Sequence, residues 1–436
     1  MVAVTASPMI LPAGFRVPGV GQRVYWLAYD WALICLTILA MSELFSRWHM
    51  GSIAWLAVYS MFMARVAMIW RSYYVMVTRN WQLLLYPAVC LASVVWSGSR
   101  STSLVSGVQV TMTMLIAIYL GWRFTPRQVV LVLWGLLSAV SFMSVANWLT
   151  GALQPVYADS GGLLGLYTNK NLLGHFSHVA VLLSVTVLLM RPDQVRTWLR
   201  WLTPASFVFG AICVVLSQSM TAMLLMPCYI VLLLLLNRQR LHPALRYGGI
   251  ALGVLGLGLG PLLLSIAGID PLGEFFRATG KSSTLTGRTE LWSIAAHVAA
   301  QAPLIGFGYG GFWQMPQYAA EHYGVLRAGA TVPSFHNFMA DIMVGTGLIG
   351  LSAMFVLIGT ALRRGYRYYR VSGSALSVSC FLLLVLAVNV SLVEPFLFRQ
   401  HEFMLTCMAI LATSIAAHAP PFIHYPSRQG RGGEGE

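Results

Sequence analysis

The sequence predicts an all-α fold: a polytopic transmembrane helical bundle of about 12 spans, with one large periplasmic loop containing amphipathic helices. Three observations predict it. Hydrophobic residues make up 58% of the 436 and charged residues 9%, against roughly 25% charged in a soluble domain. Apolar runs of span length recur along the chain, many of them bordered by Trp, such as Trp26, Trp48, Trp70, Trp81, Trp96, Trp122 and Trp201, where membrane helices carry aromatic belts. The loops between the runs alternate between rich and poor in arginine.

A span needs roughly 20 mostly apolar residues. The runs fall at 25–45, 52–70, 81–97, 103–121, 128–149, 172–190, 201–217, 220–237, 246–266, 337–361, 375–393 and 403–418. The narrowest division is the turn from Ser217 to Thr221, between the seventh and eighth. Pro8, Pro12 and Pro18 interrupt the first residues, so no cleavable leader is expected and the first run reads as an uncleaved anchor. The whole chain, 1–436, reads as a single membrane domain, and the Gly/Arg-rich end, 419–436, as a disordered cytoplasmic tail.

Orientation follows from the basic residues. Every second loop is basic: Arg65, Arg71 and Arg79; Arg123 and Arg127; Arg191, Arg196 and Arg200; Arg238, Arg240 and Arg246; Arg363, Arg364, Arg367 and Arg370. With both termini, that side holds nineteen of the twenty-seven Lys and Arg. The alternation keeps its phase over twelve spans, so both termini are expected in the cytoplasm. The outer face then has one long loop, 267–336, between the ninth and tenth spans. Loops of this length are usually functional.

The formal charge of +14 does not indicate a nucleic-acid partner. A nucleic-acid binder gathers its basic residues on a polar domain, whereas here they sit between apolar runs. The six cysteines all lie in apolar runs with no metal-ligand or CxxC spacing, and read as small buried apolar residues.

Chemistry is expected in the long loop. Thr286 or Gly287 can cap a helix in which Leu291, Ile294, Ala295 and Val298 form an apolar stripe and Pro303 ends the run. This places Arg288 in the first turn of an amphipathic helix near the outer membrane surface. There it either binds phosphate as a guanidinium fork at a helix N-terminus, or pairs with Glu290 or lipid headgroups. The run Gly306-Phe-Gly-Tyr-Gly-Gly-Phe-Trp313 lacks the Lys-Ser/Thr ending of a phosphate loop. Its aromatic residues, Trp313 among them, fit a turn that stacks on a sugar or one that simply packs. His336, followed by Asn337, falls at the outer mouth of the tenth span, a place for a base near neutral pH. Asp341 lies about one turn further in.

Lys170, Arg277, Lys281 and Arg399, with His401 and Glu402 beside the last, bring further polar groups to the same side. Together the cations form a basic mouth suited to a diphosphate; singly, each also fits interfacial snorkelling. There is no HExxH, no Walker motif, no nucleophile elbow and no paired acidic motif in an outer loop. Neither a metal nor another cofactor is expected, and cationic side chains would neutralise a leaving diphosphate. A membrane protein working outside the cytoplasm has no ATP supply, and so needs a substrate already activated in the membrane.

Five pieces of sequence carry a family resemblance: Trp96-Ser97; Gly165-Leu-Tyr-Thr-Asn-Lys-Asn-Leu-Leu-Gly174; Leu216-Ser-Gln-Ser-Met-Thr221; the stretch from Thr286 to Trp313; and His336-Asn337 with Gly345-Thr-Gly-Leu-Ile-Gly350. In this order, from about Trp96 to Glu402, they resemble the O-antigen ligase/polymerase superfamily of bacterial membrane glycosyltransferases, and within it the exopolysaccharide polymerases. The resemblance implies a bacterial inner-membrane enzyme working on the periplasmic face. Such an enzyme moves a glycan from undecaprenyl diphosphate to an acceptor glycan without metal or nucleotide sugar. By the same resemblance Arg288 binds the donor diphosphate, and His336 is the base or orients the acceptor hydroxyl. Many ligases carry an arginine in the Ser-rich turn where this chain has Met220, which favours the polymerase branch. The expected partners are the lipid-linked donor, a glycan or lipid A-core acceptor, membrane lipids and other polysaccharide-assembly proteins, with no nucleic acid. Two alternatives stand beside a polymerase. One is an O-antigen ligase transferring glycan to lipid A-core. The other is a lipid-linked glycan flippase, although carriers usually show repeated halves that this chain lacks.

Overall fold

The computed structural model describes residues 20–159, 161–237, 288–327 and 334–419. Among these residues the regular structure is helical, and the one β-type feature is an isolated bridge between Tyr157 and Leu163. The α-helices, numbered in order, are α1 (Val20–Met41), α2 (Gly51–Arg79), α3 (Leu85–Ala92), α4 (Arg100–Arg123), α5 (Pro126–Thr150), α6 (Lys170–Leu189) and α7 (Thr197–Ser217). They continue with α8 (Met220–Leu236), α9 (Arg288–Ala299), α10 (Ala319–Arg327), α11 (Phe338–Ser372), α12 (Ala375–Ser391) and α13 (Phe403–His418).

Six helices, α2, α4, α5, α6, α7 and α11, are long and apolar enough to cross a membrane, and shorter apolar helices cover Trp26–Met41, Trp81–Val95, Met220–Leu236, Ala375–Ser391 and Phe403–His418. Each of these eleven coincides with an apolar run read from the sequence. The remaining run, 246–266, lies outside the described residues, as do 267–287 and the tail beyond Ala419. Helicity outlasts apolarity at two ends. α2 continues to Arg79 and α11 to Ser372, because the arginines that close the apolar runs are themselves good helix formers. Of the cysteines, four are buried, Cys35 is half-buried and Cys228 is exposed on α8.

α6 lies at the centre: 83% of its most apolar stretch is buried inside the protein, and it packs against α5, α7, α8 and α12. Small hydroxyl side chains join these helices, as expected where lipid supplies no hydrophobic drive between them. Trp134 donates to Ser184 at 3.1 Å, Ser184 pairs with Ser206 at 2.7 Å, and Thr186 pairs with Ser379. Asp30 on α1 is fully buried and holds two arginines, Arg65 at 3.2 Å and Arg123 at 2.7 Å, with the Tyr119 hydroxyl also donating to it. A buried carboxylate needs such partners.

The opposite end is organised by a break in α11. At Gly347 the backbone takes φ 62°, ψ −162°, a region essentially confined to glycine. The break removes intrahelical partners, and the segment after α9 supplies replacements. Leu348 N–H donates to the Pro303 carbonyl at 2.9 Å, Ile349 N–H to Leu304 at 3.1 Å, and Phe307 N–H to the Val344 carbonyl at 2.9 Å. A Cβ on Gly347 would lie 2.4 Å from the Leu304 carbonyl, and one on Gly306 would lie 2.6 Å from the Gly345 carbonyl carbon.

α9 runs beside the first turns of α11, and the turn that follows it docks about 14 Å along that helix. The physical reason is the set of N–H and C=O groups freed by the kink, which must be satisfied where water is scarce.

Candidate active site

Arg288 opens α9 and His336 ends the turn before α11. Glu394 lies in the turn after α12, and Asn171 in the first turn of α6. The fold brings all four together. Arg288 Nη2 donates to Glu394 Oε1 at 2.9 Å, Asn171 Nδ2 donates to the same oxygen at 3.2 Å, and His336 Nδ1 lies 3.1 Å from Oε2. Glu394 is buried, and the Arg288 and His336 side chains are 17% and 22% exposed, so both remain reachable from outside.

His336 is held by its neighbours. Asp341 accepts from the Ser334 hydroxyl at 2.9 Å and from Phe335 N–H at 3.0 Å, while the Ser334 hydroxyl accepts from His336 N–H at 3.0 Å. Trp292 on α9 donates to the Phe335 carbonyl at 3.1 Å. This network keeps His336 at φ 51°, a left-handed conformation that costs a non-glycine residue about 1–3 kcal/mol and occurs preferentially at functional sites. Asp341 thus works on the backbone of the turn. Asn337 caps α11 by accepting from Met339 and Ala340 N–H.

The Gly-rich run supports the Glu394 turn from behind. Tyr309 is fully buried and donates to the Phe398 carbonyl at 2.8 Å, and its own N–H donates to Ser93 at 2.9 Å. Trp96 donates to the Ile305 carbonyl at 2.9 Å. Trp313 is half-buried in an aromatic cluster with Phe312, His322 and Phe335. In the arrangement seen here the run packs one backbone against another.

The other sequence candidates distribute around this centre. Lys170 opens α6 beside Asn171, and its ammonium donates to the Gly161 carbonyl at 2.8 Å. Arg399 lies within electrostatic reach of Glu43, Asp341 and Glu402. Burial, with the neighbouring Glu43 charge, pushes Glu402 well above the usual carboxylate range. His401 is stacked on Trp55 at 3.9 Å and bonded to Thr113 at 2.8 Å; burial lowers its pKa to about 4, so it is neutral at pH 7. Arg277 and Lys281 lie outside the described residues.

Sequence reasoning missed Glu394, Asn171 and Arg47. Arg47 donates to four carbonyls, those of Leu153, Pro155, Gly165 and Tyr167, and fastens the 151–169 loop. The one signal for Glu394 is a lone carboxylate at the end of an apolar run, which is a functional indication in a membrane protein.

Burial alone would raise the Glu394 carboxyl. The hydrogen bond from His336 and the charge of Arg288 outweigh it and hold the group below the usual range. An ionised Glu394 only accepts, so the hydrogen in its contact with His336 sits on Nδ1. In the neutral tautomer that makes this contact, the lone pair is on Nε2. Arg288 commits one of its five N–H donors to the carboxylate. The arrangement therefore fixes an imidazole and a guanidinium on one shared carboxylate.

Two comparisons bear on this geometry. Residues 205–355, which include Arg288 and His336, match the family model described as O-antigen ligase. Both this match and the next are similarities to the O-antigen ligase/polymerase superfamily. The chain is also 28% identical over 278 residues to the exopolysaccharide production protein ExoQ of Rhizobium meliloti (strain 1021). That alignment covers 62% of this chain and spans 61% of the relative's length. These similarities and the six helices long and apolar enough to cross a membrane accord with a multi-pass membrane protein. Glu394 falls beyond the stretch that matches the family model.

Proposed function

We propose that this protein is a polysaccharide polymerase of the bacterial inner membrane, joining undecaprenyl-diphosphate-linked glycan repeat units on the periplasmic face. In this reading twelve spans leave both termini in the cytoplasm, and the site lies at the periplasmic end. The observation that carries it is the single carboxylate, Glu394, shared by Arg288 and His336.

The acceptor hydroxyl donates to His336 Nε2. As its oxygen attacks the anomeric carbon, the proton passes to the imidazole, and the bond from that carbon to the diphosphate oxygen breaks with its electron pair. Glu394 stabilises the imidazolium, and Arg288 neutralises charge on the departing diphosphate. The diphosphate is a good leaving group, so a base and fixed cations supply what the step needs. Lys170 and Arg399, with Arg277 and Lys281, add to the positive field that draws the donor in. Trp313 and Asn337 border the acceptor side.

The test is polymer length in cells carrying Arg288→Ala or His336→Ala as the only copy. Both are expected to lose long polymer at wild-type protein level. Full-length polymer from both variants overturns the site.

A ligase is the second reading, favoured by the description of the matching family model. The exopolysaccharide role in the relative's name favours polymerisation. Purified protein given lipid-linked repeat units alone separates the two. Chain growth marks a polymerase, while growth only after lipid A-core is added marks a ligase.

A further inference from the structure

Beneath Glu394 a second set of polar groups enters the bundle. Asn171, His175 and His178 stand at i, i+4 and i+7 on α6, and so share one face. Asn171 reaches Glu394 directly. His175 and His178 are 1% and 0% exposed, and none of their four ring nitrogens has a hydrogen-bond partner among the described residues. The His175 ring meets Phe396 edge-on at 5.4 Å, two residues past Glu394, and the charges of Glu394 and Arg288 both act on it. His178 meets the Tyr229 ring at 5.8 Å, and the Tyr229 hydroxyl accepts from Asn389 at 2.7 Å. A polar file thus runs from the site to Tyr229 between α6, α8 and α12.

Two fully buried imidazoles with no partner among the described residues need another one, and in protein interiors such a partner is commonly ordered water. Glu394 has room for it. Its two oxygens offer about four acceptor positions; Arg288 and Asn171 use two on Oε1, and His336 uses one on Oε2.

We propose that this file holds ordered water and that His175 positions Glu394 through it. One water accepts from the His175 N–H and donates to the carboxylate, while His178 and the Tyr229–Asn389 pair bind water at the inner end. His175 is then a positioning residue. It fixes the carboxylate that orients His336 without touching substrate. The hydration stands on geometry alone, whereas the effect on chain growth rests on the proposed polymerase reading.

The experiment has two arms, both on the full-length protein in nanodiscs. Deuterium exchange at the histidine C2 position, followed by mass spectrometry, reads hydration directly. His175 and His178 are expected to exchange, with half-buried His336 as the internal standard. If both stay unexchanged while His336 exchanges fully, the water file is wrong. In the second arm His175→Phe keeps the bulk and removes the N–H, and His175→Asn keeps a donor. Chain growth is expected to fall about 10- to 100-fold in the Phe variant, as when a supporting hydrogen bond is lost, and to recover most of the loss in the Asn variant. A Phe variant as active as wild type, or an Asn variant as poor as Phe at equal folded yield, overturns the positioning role. Exchange at both histidines together with full polymer from Arg288→Ala and His336→Ala sinks the polymerase site and leaves the hydrated file standing.

Discussion

Replacing Glu394 with Gln preserves the shape of the side chain and removes its charge. His336 then loses the anion that orients it and stabilises its protonated form. Chain growth by Glu394→Gln in proteoliposomes is expected to fall about 10²-fold, the scale of a general-base contribution, with protein yield unchanged. An undiminished rate would mean that the carboxylate only packs.

The pH dependence has a definite sign. The folded carboxyl is held below its ordinary value of 4.5. Its contribution to stability is therefore complete above that value and is lost as pH falls through the lower folded one. The melting-temperature gap between wild type and Glu394→Gln should narrow as pH falls below about 5, where the carboxylate takes up its proton. Arg288 and His336 were legible in the sequence because each is a polar residue at the edge of an apolar run. Glu394 was not singled out, since its partners lie 106 and 58 residues away along the chain.

Among the elements, the kink in α11 and the turn after α9 act as one unit. An alanine at Gly347 would have to adopt φ 62°, ψ −162° and place its Cβ 2.4 Å from Leu304. The backbone conformation alone costs about 1–3 kcal/mol. Gly347→Ala should therefore lower the thermal midpoint in detergent by several degrees and loosen the His336 turn with it. Gly359→Ala on the same helix is the control. A Cβ there meets nothing within 4 Å, so the gain in helix propensity, roughly 0.5–1 kcal/mol, should raise the midpoint slightly. Equal effects from the two substitutions would remove the kink as a structural device. The glycines of both runs were visible in the sequence, but not their purpose. A missing Cβ matters only through what would strike it, and for Gly306 and Gly347 those atoms belong to the opposite run.

For the whole molecule, the alternation of arginines makes a claim about sides. Alkaline-phosphatase fusions in the 151–169 loop should be active, and fusions near Arg191–Arg196 or Arg363–Arg370 should be inactive. Activity at both sets would break the proposed topology. The two ends of the bundle also differ in chemistry. At one end Asp30 binds Arg65 of α2 and Arg123 at the end of α4. Glu394 binds one arginine and one histidine at the other.

Hydropathy and local pattern were enough to establish the membrane class, the helical runs, the beginning of a helix at Arg288 and the place of His336 at the head of another. These follow because hydropathy and charge act residue by residue against a bilayer, and because helix ends are set by local neighbours. Only the tertiary structure decided which partner each polar group has. Glu394 between Arg288 and His336, Lys170 on the Gly161 carbonyl and the Gly-rich run against the break in α11 are choices of space. A buried charge or a freed N–H is satisfied by whatever the fold brings within 3 Å or so, and chain order carries no record of that distance.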